Sequence, residues 1–525
     1  MGGRTPGQAR AGKGRGIVNE TQLYTVIGLT VFLAIILWLG YLGYKKTNSI
    51  ADFAIAGSKL GPVVLGLAYA ATFFSAATFV GYTGWAYEWG FSSMWIFLTL
   101  ILASPLGLIV VAKKAREANI EQGSLSLPDW LGDRYGSDFM RVGVALVTLF
   151  NIFYIGAQFT AGALIFEALL GLPYTVGLVL IAVIVVAYTY GGGSFADIYT
   201  DAFTAVFMAI MGVLVFVSGL WVIQGGGLTG IMETVSTELS QRGQEQVSLT
   251  NPESAVFYSV PAIIGAFVIQ FAFSSQPHLF NKVLALERPR DMAKMILVYV
   301  VSAFAFLMVI FGGLYAAVTV PGLEQADNAI FAYVEVAFPP IMVAFLGVVV
   351  LGASMSTSDG IFVVISTSIA NDIYKKFLVP RGYMASASEE QVDRTTLRLS
   401  RLATLLIGIV AAVLVINPPD SIGTFIWIGL SGVASGTLGP IIVGLFFPRL
   451  ASATAAKASL VSGVGSYLLI ALIGFEESVL AAGAWAVLIG IAVMFVASLL
   501  FPDRGDDRLV DAGGSASPQQ GDGSE

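Results

Sequence analysis

The sequence predicts an all-α polytopic membrane protein, and three observations carry that class. Of 525 residues, 56% are apolar and only 12% charged, about half the charge of an ordinary soluble domain. Mean hydropathy is +0.81. Thirteen segments come near or exceed the ~20 apolar residues that a helix needs to cross hydrocarbon. They are 22–43, 62–87, 92–112, 142–170, 174–190, 195–223, 256–279, 293–319, 339–371, 399–416, 421–448, 452–474 and 479–502. The first ends in Tyr44-Lys45-Lys46 with no small-residue cleavage site, so it reads as a retained helix and not a signal peptide.

Composition excludes several functions. There is no cysteine and one histidine, His278, so thiolate and histidine metal sites are ruled out. A net charge of -7 argues against a nucleic-acid partner. The connection 224–254 carries Glu233, Glu238, Glu245 and Glu253 and no aromatic residue, which suits a polar cap and not a catalytic domain. No obligate protein partner is indicated.

Orientation follows from the basic residues. The connections after spans 1, 3, 7, 9 and 11 and the C-terminal tail hold 22 of the 27 Lys and Arg, against 5 on the opposite side. This places the C-terminus in the cytoplasm and the N-terminus outside a cell membrane.

Ionisable and polar groups at membrane depth are costly and become functional candidates. Asp197 and Asp201, four residues apart, share a face in the first turns of span 6, where the helix dipole favours anions. Both could simply cap that helix at the cytoplasmic surface. In span 9, Ala353, Ser356, Thr357 and Gly360 line up on one small, oxygen-bearing face. Two hydroxyls and a carbonyl there could strip a small hard cation of water, or could only glue helices together. Asp359 lies mid-span and needs a cation, a proton or a hydroxyl as partner.

Two spans should break. Span 2 reads Ala70-Ala71-Thr72-Phe73-Phe74-Ser75-Ala76 and span 7 reads Gln270 to His278, with Pro277 removing an amide. Freed carbonyls at membrane depth must face protein or a wet cavity. Interruptions at corresponding places in two halves point to a transport site. Spans 2–6 and 7–11 run with opposite topology, as an inverted repeat requires. Gly429, Gly432, Gly436 and Gly439 form a stripe suited to close helix packing.

At these residues the chain resembles the sodium:solute symporter family over nearly all of 22–502. The resemblance rests on "GSKLGP", "ATFFSAATFVG", "YGGGSFADIYTD", "SQPHLFNK" and "GASMSTSDG…NDIY". It implies a leucine-transporter-like five-plus-five inverted repeat with flanking helices. The divisions would be a disordered outside tail 1–21, a first helix and cytoplasmic loop 22–60, and repeats 61–223 and 255–448 separated by the extracellular loop 224–254. Two C-terminal helices, 449–502, and an acidic cytoplasmic tail, 503–525, would follow.

The resemblance further implies a sodium site of the carbonyls of Ala71, Phe74 and Ala353 with the hydroxyls of Ser356 and Thr357. Asp201 would serve ion coupling and release. The solute would be lined by Phe73, Ile269, Phe273 and Pro277, of which Ile269 and Phe273 replace the Trp and Tyr of the proline-carrying branch and Phe73 its aspartate. His278 is expected near the cytoplasmic end and not as a proton carrier. The function implied is sodium-coupled import of a small organic solute, with a carboxylate such as pantothenate, a monocarboxylate or proline favoured. A proton-coupled carrier using Asp359 or Asp201 is the alternative. An intramembrane aspartyl protease built on the same two residues is the remote one; otherwise no enzyme activity is expected.

Overall fold

The computed structural model describes residues 20–384, 387–419, 422–476 and 478–502. The two termini of the expected division, 1–19 and 503–525, lie outside the described residues. Those described form helices, with no strand beyond a single bridge between Leu60 and Leu286. Ten helical runs are long and apolar enough to cross a membrane, or eleven when one bent pair counts as a single span.

The difference from thirteen has a physical origin. Helix α1 spans Glu20–Lys46 and α2 spans Pro62–Phe73, the latter too short to cross alone. Beyond a break, short helices Ala76–Phe79 and Gly81–Trp89 run on into α3, Met94–Gln122. The expected second span is thus divided, its second half continuous with the third. Leu127–Arg134 forms the short helix α4, and Asn151–Leu170 forms α5. The expected spans 174–190 and 195–223 make up α6, Tyr174–Val222, two helical halves that meet at a kink at Gly193.

At 1.5 Å per residue, a straight 49-residue helix would reach about 73 Å, more than twice the hydrocarbon thickness. Gly193 resolves the conflict with φ 51° and ψ -144°. A Cβ there would come within 2.7 Å of the Phe53 carbonyl oxygen, so the bend admits only glycine.

The connection 224–254 is not featureless: Leu228–Arg242 is an amphipathic helix, α7, that buries Ile231, Val235 and Leu239. Two half-helices follow, α8, Val260–Phe273, and α9, Pro277–Leu284, bent by 42°. Then come α10, Pro289–Thr319, and α11, Pro340–Thr367, which continues as a π-helical stretch to Leu378. Helices α12 to α15 are Glu389–Leu414, Ile422–Phe446, Ala453–Ile473 and Val479–Leu500.

Helix α11 is the axis of the molecule. Of its most apolar stretch, 83% is buried, against 28% for α1, so α11 faces protein and α1 leaves most of its surface for lipid. Helices α6 and α2 pack against α11 and each other. The glycine stripe of α13 does what its spacing suggests: Gly429 and Gly432 meet Phe150, Gly436 meets Leu460, and Gly439 meets Ser459 and the Gly490 carbonyl.

Gly193→Ala is expected to combine a strained dihedral, worth about 1–3 kcal/mol, with a backbone clash. The measurement is the melting temperature of purified protein in detergent, which should fall by several degrees.

Candidate functional site

Helix α2 ends because its next amides are taken elsewhere. Phe74 leaves helical geometry (φ -95°, ψ 89°) and Ser75 is extended. The amides of Ala76 and Ala77, which would have closed the next turn, donate to Gln158 Oε1 (3.3 Å) and Ser75 Oγ (3.2 Å). Carbonyls at the end of α2 are therefore free for other partners, as membrane depth demands. The Ser356 hydroxyl donates to the Ala71 carbonyl at 3.0 Å and lies 3.1 Å from that of Ala353. The Thr357 hydroxyl donates to the Thr72 carbonyl at 3.0 Å and lies 3.4 Å from that of Ala353. Tyr154 of α5 sits beside Ser75 and Thr357. Phe74 packs its ring on Tyr299 and Phe306. Neutral oxygens from an unwound backbone and two hydroxyls converge, the donor set that suits a hard monovalent cation.

One turn away lies a charged cluster. Asp197, Asp201 and Asp359 are buried, and one oxygen from each lies within 4.8 Å of the others. Asp359 accepts from the Tyr188 hydroxyl at 2.8 Å, the Gly360 amide at 2.8 Å and the Thr200 hydroxyl at 3.3 Å. The Lys282 ammonium reaches Asp197 at 2.6 Å and Asp201 at 2.9 Å. Thr72 also donates its hydroxyl to Asp201.

This corrects two readings. Lys282, one of the basic residues counted in the connection after span 7, is a buried partner, and Asp197 and Asp201 are buried and not surface caps. Sequence alone missed Lys282 because it follows the Pro277 break, where the hydrophobic run appears to end. The two aspartates that a protease would need do converge, but Lys282 is bonded to one of them.

The second break joins α8 to α9 through Ser274–Gln276. Tyr69 donates to the Ser274 carbonyl at 3.0 Å, and Gln276 donates to the Leu430 carbonyl at 2.8 Å. Phe73 and Phe273 meet with ring centroids 4.2 Å apart. Ile269 is buried against Gly483, and Pro277 opens α9. His278 is buried between Tyr154 and Phe273 with neither ring nitrogen hydrogen-bonded, so it belongs to the break and not to the cytoplasmic end. Unpaired buried polar atoms are rare, yet Gln270 presents two near this break and Ser275, Gln276 and Trp427 one each. Sequence reasoning overlooked these side chains because glutamine has no periodic signature.

Trp427 stacks edge-on with Phe273 at 5.8 Å and also lines a vestibule of about 610 Å³. The vestibule carries Glu88, Glu324, Asp327, Trp85 and Trp89, and no basic residue among its lining.

With this geometry in view, the comparisons with known proteins are decisive. The model of the sodium:solute symporter family matches residues 53–463. The chain belongs to that family. It is 27% identical to the sodium/proline symporter 2 of Staphylococcus saprophyticus over 475 residues, 86% of this chain and 87% of that one. It is 26% identical to the sodium/proline symporter of Staphylococcus aureus, covering 86% of each.

Among solved structures, a Na+-coupled sialic acid symporter in a substrate-bound outward-open state superposes with a TM-score of 0.73. Identity there is 19%, covering 91% of this chain and 98% of that one. A nucleobase-cation-symport-1 family transporter in a closed conformation gives 0.56 at 17% identity, covering 89% and 99%. The fold is the leucine-transporter-like inverted repeat with flanking helices. Membership places it in a family of multi-pass membrane symporters, with sodium as coupling ion and a small solute as cargo.

Asp327 lies in the 3-10 turn Ala326–Asn328, just before the short helix Ala329–Ala337. Burial, and then the nearby Glu88 carboxylate, push it up from the ordinary carboxylate range to about 6. A raised acid is neutral below that value and charged above it. The half-saturating sodium concentration should therefore fall, by about twofold, as pH on the vestibule side rises through about 6. Uptake titrations should show that step lost in Asp327→Asn.

Proposed function

We propose that the protein imports a small carboxylate-bearing solute together with sodium by alternating access. Sodium would be held by the carbonyls of Ala71, Phe74 and Ala353 and the hydroxyls of Ser356 and Thr357. The observation that carries this reading is the pair of 3.0 Å contacts from Ser356 and Thr357 to the carbonyls of Ala71 and Thr72. With their hydrogens turned away, the Ser356 and Thr357 hydroxyl oxygens and the nearby carbonyls of Ala71 and Ala353 would form the core of a cation cage between α2 and α11.

Sodium in that cage ties the broken helix to α11 and favours the state open to the outside. Substrate must then tighten sodium by the factor with which sodium tightens substrate, typically about 1–3 kcal/mol. An inward-negative potential adds about 2.3 kcal/mol per charge per 100 mV.

The solute lies between the two breaks, against Phe73, Ile269, Phe273 and Pro277, with Gln270, Ser275 and Gln276 offering polar contacts. Half-helix N-termini suit a carboxylate. The acidic, aromatic vestibule favours a carboxylate balanced by an ammonium. That points to the zwitterionic end of the range, where proline lies, ahead of pantothenate or a monocarboxylate. Asp201 carries ion coupling and release. The repeats span 61–223 and 255–448, with the N-terminus outside and the C-terminus in the cytoplasm.

Proteoliposomes under a sodium gradient, offered labelled amino acids, carboxylates and sugars, test the reading. Uptake of a zwitterion should follow the gradient and collapse when it is dissipated. Thr357→Ala should raise the sodium requirement roughly fivefold or more, or abolish uptake, while the protein still reaches the membrane. Sodium dependence unchanged in the Ser356→Ala/Thr357→Ala double variant would remove the proposed cage. Equal uptake driven by a pH gradient without sodium would favour the proton-coupled alternative.

A further inference from the structure

Lys282 has a mechanical position as well as a charge. Among the described residues, its two ion pairs are the only ones in which both side chains are exposed by 4% or less. It projects from α9, and α9 is stapled to the start of α2 and the end of α3. Ser58 donates to the Leu284 carbonyl at 2.8 Å, and Leu60 exchanges backbone bonds with Ala285 and Glu287 at 3.2 and 3.0 Å. Arg116 donates to the Leu286 carbonyl at 2.7 Å. Toward α6 and α11, by contrast, the polar links of α9 among the described residues are those of Lys282 alone.

The cluster also touches the sodium cage through one residue. Thr72 gives its carbonyl to Thr357 and its hydroxyl to Asp201, which in turn holds Lys282. Any shift of the α2 terminus on ion binding must move one end of this chain. Three carboxylates face a single ammonium, and Asp197 Oδ1 and Asp201 Oδ1 lack partners. Releasing Lys282 would leave these charges uncompensated at membrane depth, which makes the released state costly and the paired state a stable stop.

We infer that Lys282 is a tethered cation that latches the α9–α2 unit to α6 on the inner side of the sodium cage. Each transport cycle must open and re-form this latch. Thr72 transmits sodium occupancy to it, and in that part alone the inference rests on the sodium reading. Lys282 is a positioning residue, since it touches neither the proposed ion nor the proposed solute site.

The absence of native cysteine makes the test direct. His278→Cys places a reporter four residues before Lys282, at a buried side chain whose ring nitrogens make no hydrogen bond. A membrane-impermeant thiol reagent is applied to the cytoplasmic face of inside-out vesicles. Asp197→Asn/Lys282→Met removes the pair without changing the cluster's net charge, and should label roughly fivefold faster than the reporter alone. Lys282→Arg should stay near the reporter's rate.

Equal labelling of the double variant and the reporter overturns the latch. If the double variant does not reach the membrane, Asp197→Asn alone keeps Lys282 paired to Asp201. An intermediate rise is then expected, and no rise overturns the latch. Sodium should slow labelling of the reporter, and Thr72→Val should erase that protection. Protection that survives Thr72→Val overturns the tie to sodium. A reporter with no sodium protection but a fast-labelling latch variant upholds the latch and sinks the sodium cage.

Discussion

Backbone carbonyls released at membrane depth have to find partners, and that requirement organises this molecule. Where α2 stops at Phe73, the amides that should have continued the helix go to Gln158 and Ser75. The carbonyls of Ala71 and Thr72 turn instead to Ser356 and Thr357. Lipid could not satisfy them, so α11 must lie deep inside, and α6, α5 and α9 must surround the break. The buried axis, the split second span and the polar centre are consequences of one unfinished helix.

The second consequence is electrostatic. A polar centre lowers the cost of placing charge nearby, and Asp197, Asp201, Asp359 and Lys282 collect there. Buried charges of this kind give little net stability, because desolvation offsets most of the attraction. They persist where an arrangement with two states needs a definite stop. Thr72 links the neutral oxygens to the charged cluster, accepting from Thr357 at its carbonyl and donating its hydroxyl to Asp201.

The two breaks are not equivalent in what fills them. The α2 break leaves the carbonyls of Ala71 and Thr72 to the hydroxyls of Ser356 and Thr357, whereas the α8–α9 break is closed by the rings of Phe73, Phe273 and Trp427. The aromatic closure separates the vestibule from the polar centre. Acidic side chains line the vestibule on one side of this closure, and neutral oxygens gather at the α2 break on the other.

Much of this was legible in the order of residues. Apolar runs, the Pro277 interruption and the spacing of Ala353, Ser356, Thr357 and Gly360 are local, and hydrophobicity or helical periodicity reads them directly. Other features depend on which segments meet. Lys282 looks like a loop charge because proline ends the apolar run before it, and only the bend at Ser274–Gln276 carries it back between helices. The bend at Gly193 falls between the two apolar runs 174–190 and 195–223, but its φ of 51° and the close approach of Phe53 that requires glycine show only in the fold. Sequence alone determined the membrane class, the breaks and the oxygen-bearing face. Tertiary structure decided which charge answers which, because pairing across 81 or 85 residues of chain is a matter of packing that no local pattern encodes.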